Sequence, residues 1–185
     1  MERNTIEAPE RLALLTLARR AIEAALCGRS PPELPDVPAA RLWRGAFVSL
    51  HENDGDLRGC IGHVKDDRPL GEVIRQVAVS AARSDPRFPP VAPGELAGLR
   101  IEISVLGTPV FVPTADLGRI VIGRDGLLLR RGAVHAVLLP QVATENGFGP
   151  EAFLDAVCHK AGLRAGSWRE PDTRVFTFTA DVFVE

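Results

Sequence analysis

Leu57-Arg58-Gly59-Cys60-Ile61-Gly62-His63 is the stretch on which the reading of the fold turns. It places a cation, a thiol, an imidazole and two glycines within one short run. The residues before it, Gly45-Ala46-Phe47-Val48-Ser49-Leu50-His51, are apolar and β-branched and predict a strand. Between the two, Glu52-Asn53-Asp54-Gly55-Asp56 reads as a turn, with Asp54-Gly55 as the site for positive φ. Leu57 to Gly62 therefore returns as the second strand of a hairpin. Period-two alternation puts Arg58 and Cys60 on one face, and Leu57, Gly59 and Ile61 on the other. Gly59 and Gly62 leave room for a close backbone or a ligand, or mark a bulge. A bulge at Gly62 turns His63 to the Cys60 face; a regular strand points it away.

Working outward, Pro69 to Ala82 carries Leu70, Val73, Ile74, Val77, Ala78 and Ala81 at helical spacing. Its opening turn follows the Cys60 strand closely, which suits a thiolate or a bound anion. Upstream, Pro9 to Leu26 is a second amphipathic helix, with Pro9 in its first turn and Gly28 at its end. Residues 29–40 hold Pro31, Pro32, Pro35 and Pro38 and predict a stiff connector across the domain surface. Downstream, Ser84-Asp85-Pro86-Arg87-Phe88-Pro89-Pro90-Val91 is a loop whose path three prolines fix. Leu99 to Leu106 alternates as a strand.

The second half repeats this order. Ile120-Val121-Ile122 reads as a short strand, and Leu127–Arg131 with Val134–Leu139 as a hairpin about Gly132-Ala133. Pro140-Gln141-Val142-Ala143 leads out of it, Pro150 to Ala161 is a helix, and Val175 to Val184 one long final strand. Hairpin, helix and strand thus occur twice, and the simplest outcome is a curved antiparallel or mixed sheet covered by helices. The chain is read as one domain over 1–185, with lobes 1–107 and 108–185.

Composition narrows the function classes. The net charge of -2 argues against a general nucleic-acid binder. Cys27, Cys60 and Cys158 are too scattered for a disulfide framework or a metal clip, and read as reduced thiols of a cytoplasmic protein. Met1-Glu2-Arg3-Asn4 lacks the basic start of a leader, and no apolar run is long enough to span a membrane. Neither a phosphate-binding GxxxxGK[ST] nor a dinucleotide GxGxxG occurs, and no His/Cys spacing suggests a metal. No cofactor is therefore assigned.

Several blocks, taken together, resemble the AMMECR-one domain family: Gly45–Leu50, Leu57–Gly62, Asp85–Val91 and Ile101–Leu106, then Leu138-Leu139-Pro140-Gln141-Val142-Ala143, Lys160-Ala161-Gly162-Leu163 and Trp168. The likeness runs from the first helix to the last residue, and Leu-Arg-Gly-Cys-Ile-Gly is its most specific element. Phe148 stands where many relatives carry Trp, and the proline-rich connector departs from the pattern. The resemblance implies an α+β fold with a barrel-like, mainly antiparallel sheet from two related halves. Prokaryotic members are often called AmmeMemoRadiSam system protein A, which implies a genomic association with a Memo-like protein and a radical S-adenosylmethionine enzyme. It implies no established activity. No iron–sulfur spacing is present, so this chain is not read as the radical enzyme.

The site candidates carry two readings each. Cys60 is a nucleophile whose thiolate Arg58, His63 or a helix N-terminus favours, or a small residue chosen for size. His63 is a catalytic partner or a surface cap, and His51 is a second imidazole that the hairpin register could bring to Cys60. Glu102, polar on an otherwise apolar strand, is a general base or the ion-pair partner of Arg58. Arg87 clamps a carboxylate or phosphate, or anchors its own loop. Asp85 stabilises the turn and is grouped with Arg58, Arg87 and Gln141 as ligand-binding; Gln141 faces a cleft or caps a helix. Two functions follow: a small anionic or nucleotide-like ligand bound around Cys60, with thiol chemistry, or a non-catalytic adaptor beside the two associated proteins.

Overall fold

The computed structural model describes residues 6–185. The reading of Met1–Asn4 lies outside them. The chain forms two compact units, one comprising the chain up to Leu106 together with Asp181–Glu185, the other Gly107–Ala180. The architecture is mixed helix and antiparallel sheet.

In the first unit, β1 (Ala46–His51) and β2 (Leu57–His63) form the expected hairpin, with Gly55 at φ +99° in its turn. β3 (Arg100–Leu106) pairs antiparallel with the other edge of β1, and β8 (Ala180–Val184) lies beside β3. The sheet order is β2-β1-β3-β8, so the Cys60 strand is an edge. Helices α1 (Ala8–Leu26) and α2 (Leu70–Arg83) cover one face. Their buried Leu14, Ile22, Leu70 and Ile74 meet Val48, Leu50, Ile101 and Ile103 from alternate strand positions. Each such side chain stabilises the unit by about 1.5–3 kcal/mol on burial.

This packing explains the glycines of the opening stretch. A Cβ at Gly59 would lie 2.3 Å from the Ala81 carbonyl oxygen, so α2 rests directly on the strand backbone. A Cβ at Gly62 would overlap the Phe47 ring. Both glycines are filled by the protein's own groups.

In the second unit, β5 (Gly126–Arg131) and β6 (Val134–Leu138) are the second hairpin, with Gly132 at φ +58°. β7 (Arg174–Phe178) pairs with β5, and β4 (Val110–Val112) with β7, giving the order β4-β7-β5-β6. Helices α3 (Pro140–Glu145) and α4 (Pro150–Lys160) pack on the sheet through Ala143, Phe153, Leu154 and Val157. Trp168 closes this core and donates through Nε1 to Asp155 Oδ1 at 2.9 Å.

Three expectations change. Ile120–Ile122 is no strand: it follows a 3-10 turn (Thr114–Arg119), and the Asp125 carboxylate accepts the Val121 N–H at 2.9 Å, tying the segment into a turn. The strand β4 went unread. The long final strand breaks at Thr179 into β7 and β8, which belong to different sheets. Asp181 draws β8 to the first unit by accepting the Ile6 N–H at 2.9 Å and an Arg11 N–H at 2.8 Å.

The two sheets share one connectivity. In each, the third strand pairs with the first strand of the hairpin, and a fourth lies outside it. That fourth strand is supplied each time by the chain leaving the other unit's third strand: β3 continues into β4, and β7 into β8. At these crossings Gly107 donates its N–H to the Thr179 carbonyl at 2.7 Å.

Candidate functional site

Cys60 occupies the middle of edge strand β2, directly opposite Ser49. Its N–H turns away from β1 and donates to Asp85 Oδ2 at 2.9 Å. Ser49 and Cys60 are thus a non-hydrogen-bonded pair, the kind in which side chains approach closely. Ser49 Oγ donates to Cys60 Sγ at 3.2 Å. The face is opposite the helix-covered one, because Val48 and Leu50, the neighbours of Ser49, enter the core.

The outward edge of Cys60 is completed by the proline-stiffened loop. Asp85 takes the Cys60 N–H, and Arg87 Nη2 points at the Cys60 carbonyl from 3.5 Å. The two side chains also grip each other, Nε to Oδ1 at 3.0 Å and Nη2 to Oδ2 at 2.7 Å. Together they do for the edge strand what a further strand would do, one accepting and one donating. Asp85 is only 4% exposed. The Arg87 guanidinium, helped by the backbone N–H groups of Cys60 and Arg87, holds its carboxyl well below the usual range against the cost of burial. Arg87 in turn is pushed up, first by its hydrogen bond to Asp85, against burial, with the charges of Asp85 and of a Cys60 thiolate adding. The Arg87 side chain remains 55% exposed, and among the described residues its Nη1 carries no hydrogen bond.

Arg58 is used differently. Its Nε and Nη2 reach Glu95 at 3.1 and 3.4 Å, and its Nη1 donates to the Pro89 carbonyl at 2.9 Å. Its partner is Glu95 rather than Glu102, and it fastens the loop to β2 while itself almost fully buried. Glu95 is held low first by the Ala92 N–H, then by Arg58, against burial.

Glu102 lies opposite Ser49 on the other side of β1, so Cys60, Ser49 and Glu102 form one row across three strands. Two strand spacings separate the backbone of Cys60 from that of Glu102 by roughly 10 Å, with Ser49 between. His63 faces away: pairing is regular from Cys60 to His63, so Gly62 is not bulged, and His63 Nε2 meets Asp67 Oδ1 at 2.7 Å. The irregularity falls at Arg58, so that His51 pairs with Leu57 rather than Arg58 and stands two positions along β1 from the Cys60 partner Ser49. His51 Nδ1 donates to the Gly55 carbonyl at 3.2 Å, and its buried Nε2 has no partner. Gln141 stands in the first turn of α3, in the second unit. Burial pushes the Cys158 thiol up. Among the described residues no cluster of His, Cys, Asp or Glu could hold a metal, and no helix is long and apolar enough to cross a membrane.

Ser49 and Glu95 are the two participants that the sequence reading passed over. Strand alternation already put Ser49 on the Cys60 face side of its strand; only the hairpin register pairs the two. Nothing local marks Glu95, which comes from a loop far along the chain.

Comparison with known proteins gives a consistent result. The family model described as AMMECR1 matches residues 15–183. A protein of Methanothermobacter thermautotrophicus is 46% identical over 93% of this chain and 92% of its own. Protein TK0174 of Thermococcus kodakarensis is 44% identical over 93% and 88%. Among solved structures, uncharacterized protein PH0010 from Pyrococcus horikoshii superposes with a TM-score of 0.88 at 40% identity, covering 93% of this chain and 89% of that one.

Proposed function

The chain belongs to the AMMECR1 family, and from that premise we propose that it binds a small anionic ligand at Cys60 and acts on it through the thiol. One observation carries this reading: a half-buried thiol touched by the Ser49 hydroxyl, beside a half-exposed guanidinium with a free N–H. Arg87 already spends one edge on Asp85, which fixes its plane and leaves Nη1 for a carboxylate or phosphate oxygen. The sulfur, as thiolate, adds to an electrophilic carbonyl carbon of the ligand so held, and the C=O π pair passes to the carbonyl oxygen. That oxygen takes up the proton the thiol released, while the Ser49 hydroxyl donates to the sulfur at 3.2 Å. The activity belongs in the cytoplasm, alongside a Memo-like protein and a radical S-adenosylmethionine enzyme.

The test is iodoacetamide alkylation followed by mass spectrometry across pH, with exposed Cys27 as the internal reference. Cys60 should react with a midpoint below that of Cys27, and R87Q should move it up. Equal midpoints, or no response to R87Q, would sink the thiol chemistry. A second reading, a non-catalytic adaptor, is favoured by one set of facts: Arg58, Gly59, Gly62 and Asp85 are all satisfied by the protein's own packing. Under it, C60S would still co-purify with the two associated proteins and leave their activity unchanged.

A further inference from the structure

The proline-rich connector and the second helix enclose a cavity that the Cys60 site does not use. Its volume is about 380 Å³, within the range of small-molecule sites. The floor is apolar, formed by Ala21 and Ala25 of α1 and Val79 of α2. Three guanidinium groups, Arg29, Arg68 and Arg75, line it against a single carboxylate, Glu72. A chain with a net charge of -2 thus concentrates positive charge around one apolar hollow.

The local structure fixes these cations in place. α1 ends in a Schellman closure: Gly28, at φ +64°, donates to the Ala25 carbonyl, and Arg29 N–H to that of Ala24 at 2.7 Å. This pins the Arg29 backbone at the rim, while its side chain makes no hydrogen bond or ion pair among the described residues. Arg75 Nη1 donates to the Pro32 carbonyl at 3.1 Å and holds the connector over α2 as a wall. Arg68 is steadied by Gln76 Oε1 at 2.8 Å. Arg75 is therefore oriented by a neutral carbonyl that leaves its charge uncancelled, Arg68 shares its charge with Asp67 Oδ1 at 3.3 Å, and Arg29 has no ion-pair partner among the described residues.

We propose that this cavity is a binding site for a small amphipathic anion, a phosphate or carboxylate head on a short hydrocarbon body. The head meets Arg29 and Arg75 at the rim, and the body covers Ala25 and Val79. The proline connector is then a preformed wall, which lowers the ordering cost of binding.

Isothermal titration of the full chain with n-hexyl phosphate tests this, with hexyl glucoside as the neutral comparator and inorganic phosphate as the head alone. Hexyl phosphate should bind about tenfold more tightly than either. R29Q, which breaks no bond within the protein, should weaken it about tenfold, and C60S should leave it unchanged. Equal affinity for the glucoside, an unaltered affinity in R29Q, or no heat of binding at millimolar ligand would each overturn the assignment. Because R75Q also releases Pro32, it serves only as a second variant, read beside its thermal melt.

Discussion

Replacing Asp85 with asparagine removes the charge that joins the loop, the edge strand and Arg87. The carboxylate accepts four hydrogen bonds: from the Cys60 and Arg87 backbone N–H groups at 2.9 and 3.1 Å, and from the guanidinium at 3.0 and 2.7 Å. An asparagine keeps one acceptor oxygen, and its NH₂ must face a donor. Hydrogen bonds to a charged group contribute about 1.5–3 kcal/mol each, but they are shared on one group and do not add. Arg87 is half exposed and regains water when it loses its partner, which lowers the cost. The expected loss is about 2–4 kcal/mol, short of the full penalty for breaking a wholly buried pair. Urea unfolding followed by circular dichroism at pH 7 measures it. The pH dependence supplies a second check. Asp85 is held low in the fold, so its contribution is complete above the ordinary carboxylate value of about 3.9 and is lost as pH falls below that towards the depressed native value. The gap between wild type and D85N should therefore narrow in acid, by at most about 1.4 kcal/mol per pH unit. A loss under about 0.5 kcal/mol at pH 7 would refute the bracket described for Cys60.

Three further outcomes follow from the packing. G59A should cost about 1–3 kcal/mol by thermal melt, since its methyl meets backbone of α2 rather than a movable side chain. R58M should lose about 2–3 kcal/mol and make the 86–95 loop a site of early proteolysis, because Glu95 and Pro89 lose their donor. W168F should lose about 1 kcal/mol by urea melt, as Asp155 keeps its bond from the Gly166 N–H.

The first hairpin, both long helices and the following strand were legible because each carries its own period, and Asp54-Gly55 marks the turn between the strands. The final strand was legible as extended chain but not as two strands. Its alternation continues through Thr179, and nothing local says which sheet each half joins. The site divides in the same way. Cys60, Arg87 and Asp85 could be grouped because the motif and the stiff loop announce them, and the structure places them in contact. The partners could not. Ser49 meets Cys60 only because the irregularity falls at Arg58, and Arg58 turns to Glu95 because a distant loop folds back over β2. Register and loop return are long-range choices, which residue spacing within one element does not encode.

The exchange of edge strands bears on how the molecule is made. A ribosome delivers β1, β2 and β3 well before residues 181–185, so the first sheet waits through the synthesis of the entire second unit with the outer edge of β3 unpaired. The second sheet receives its own edge strand, β4, ahead of the strands it joins. During that interval the bare edge of β3 is open to the same segment of a neighbouring nascent chain. The β8 segment, made after the whole second unit, thus acts as the closing step of the first unit, and crowded translation is the condition under which swapped pairs would accumulate.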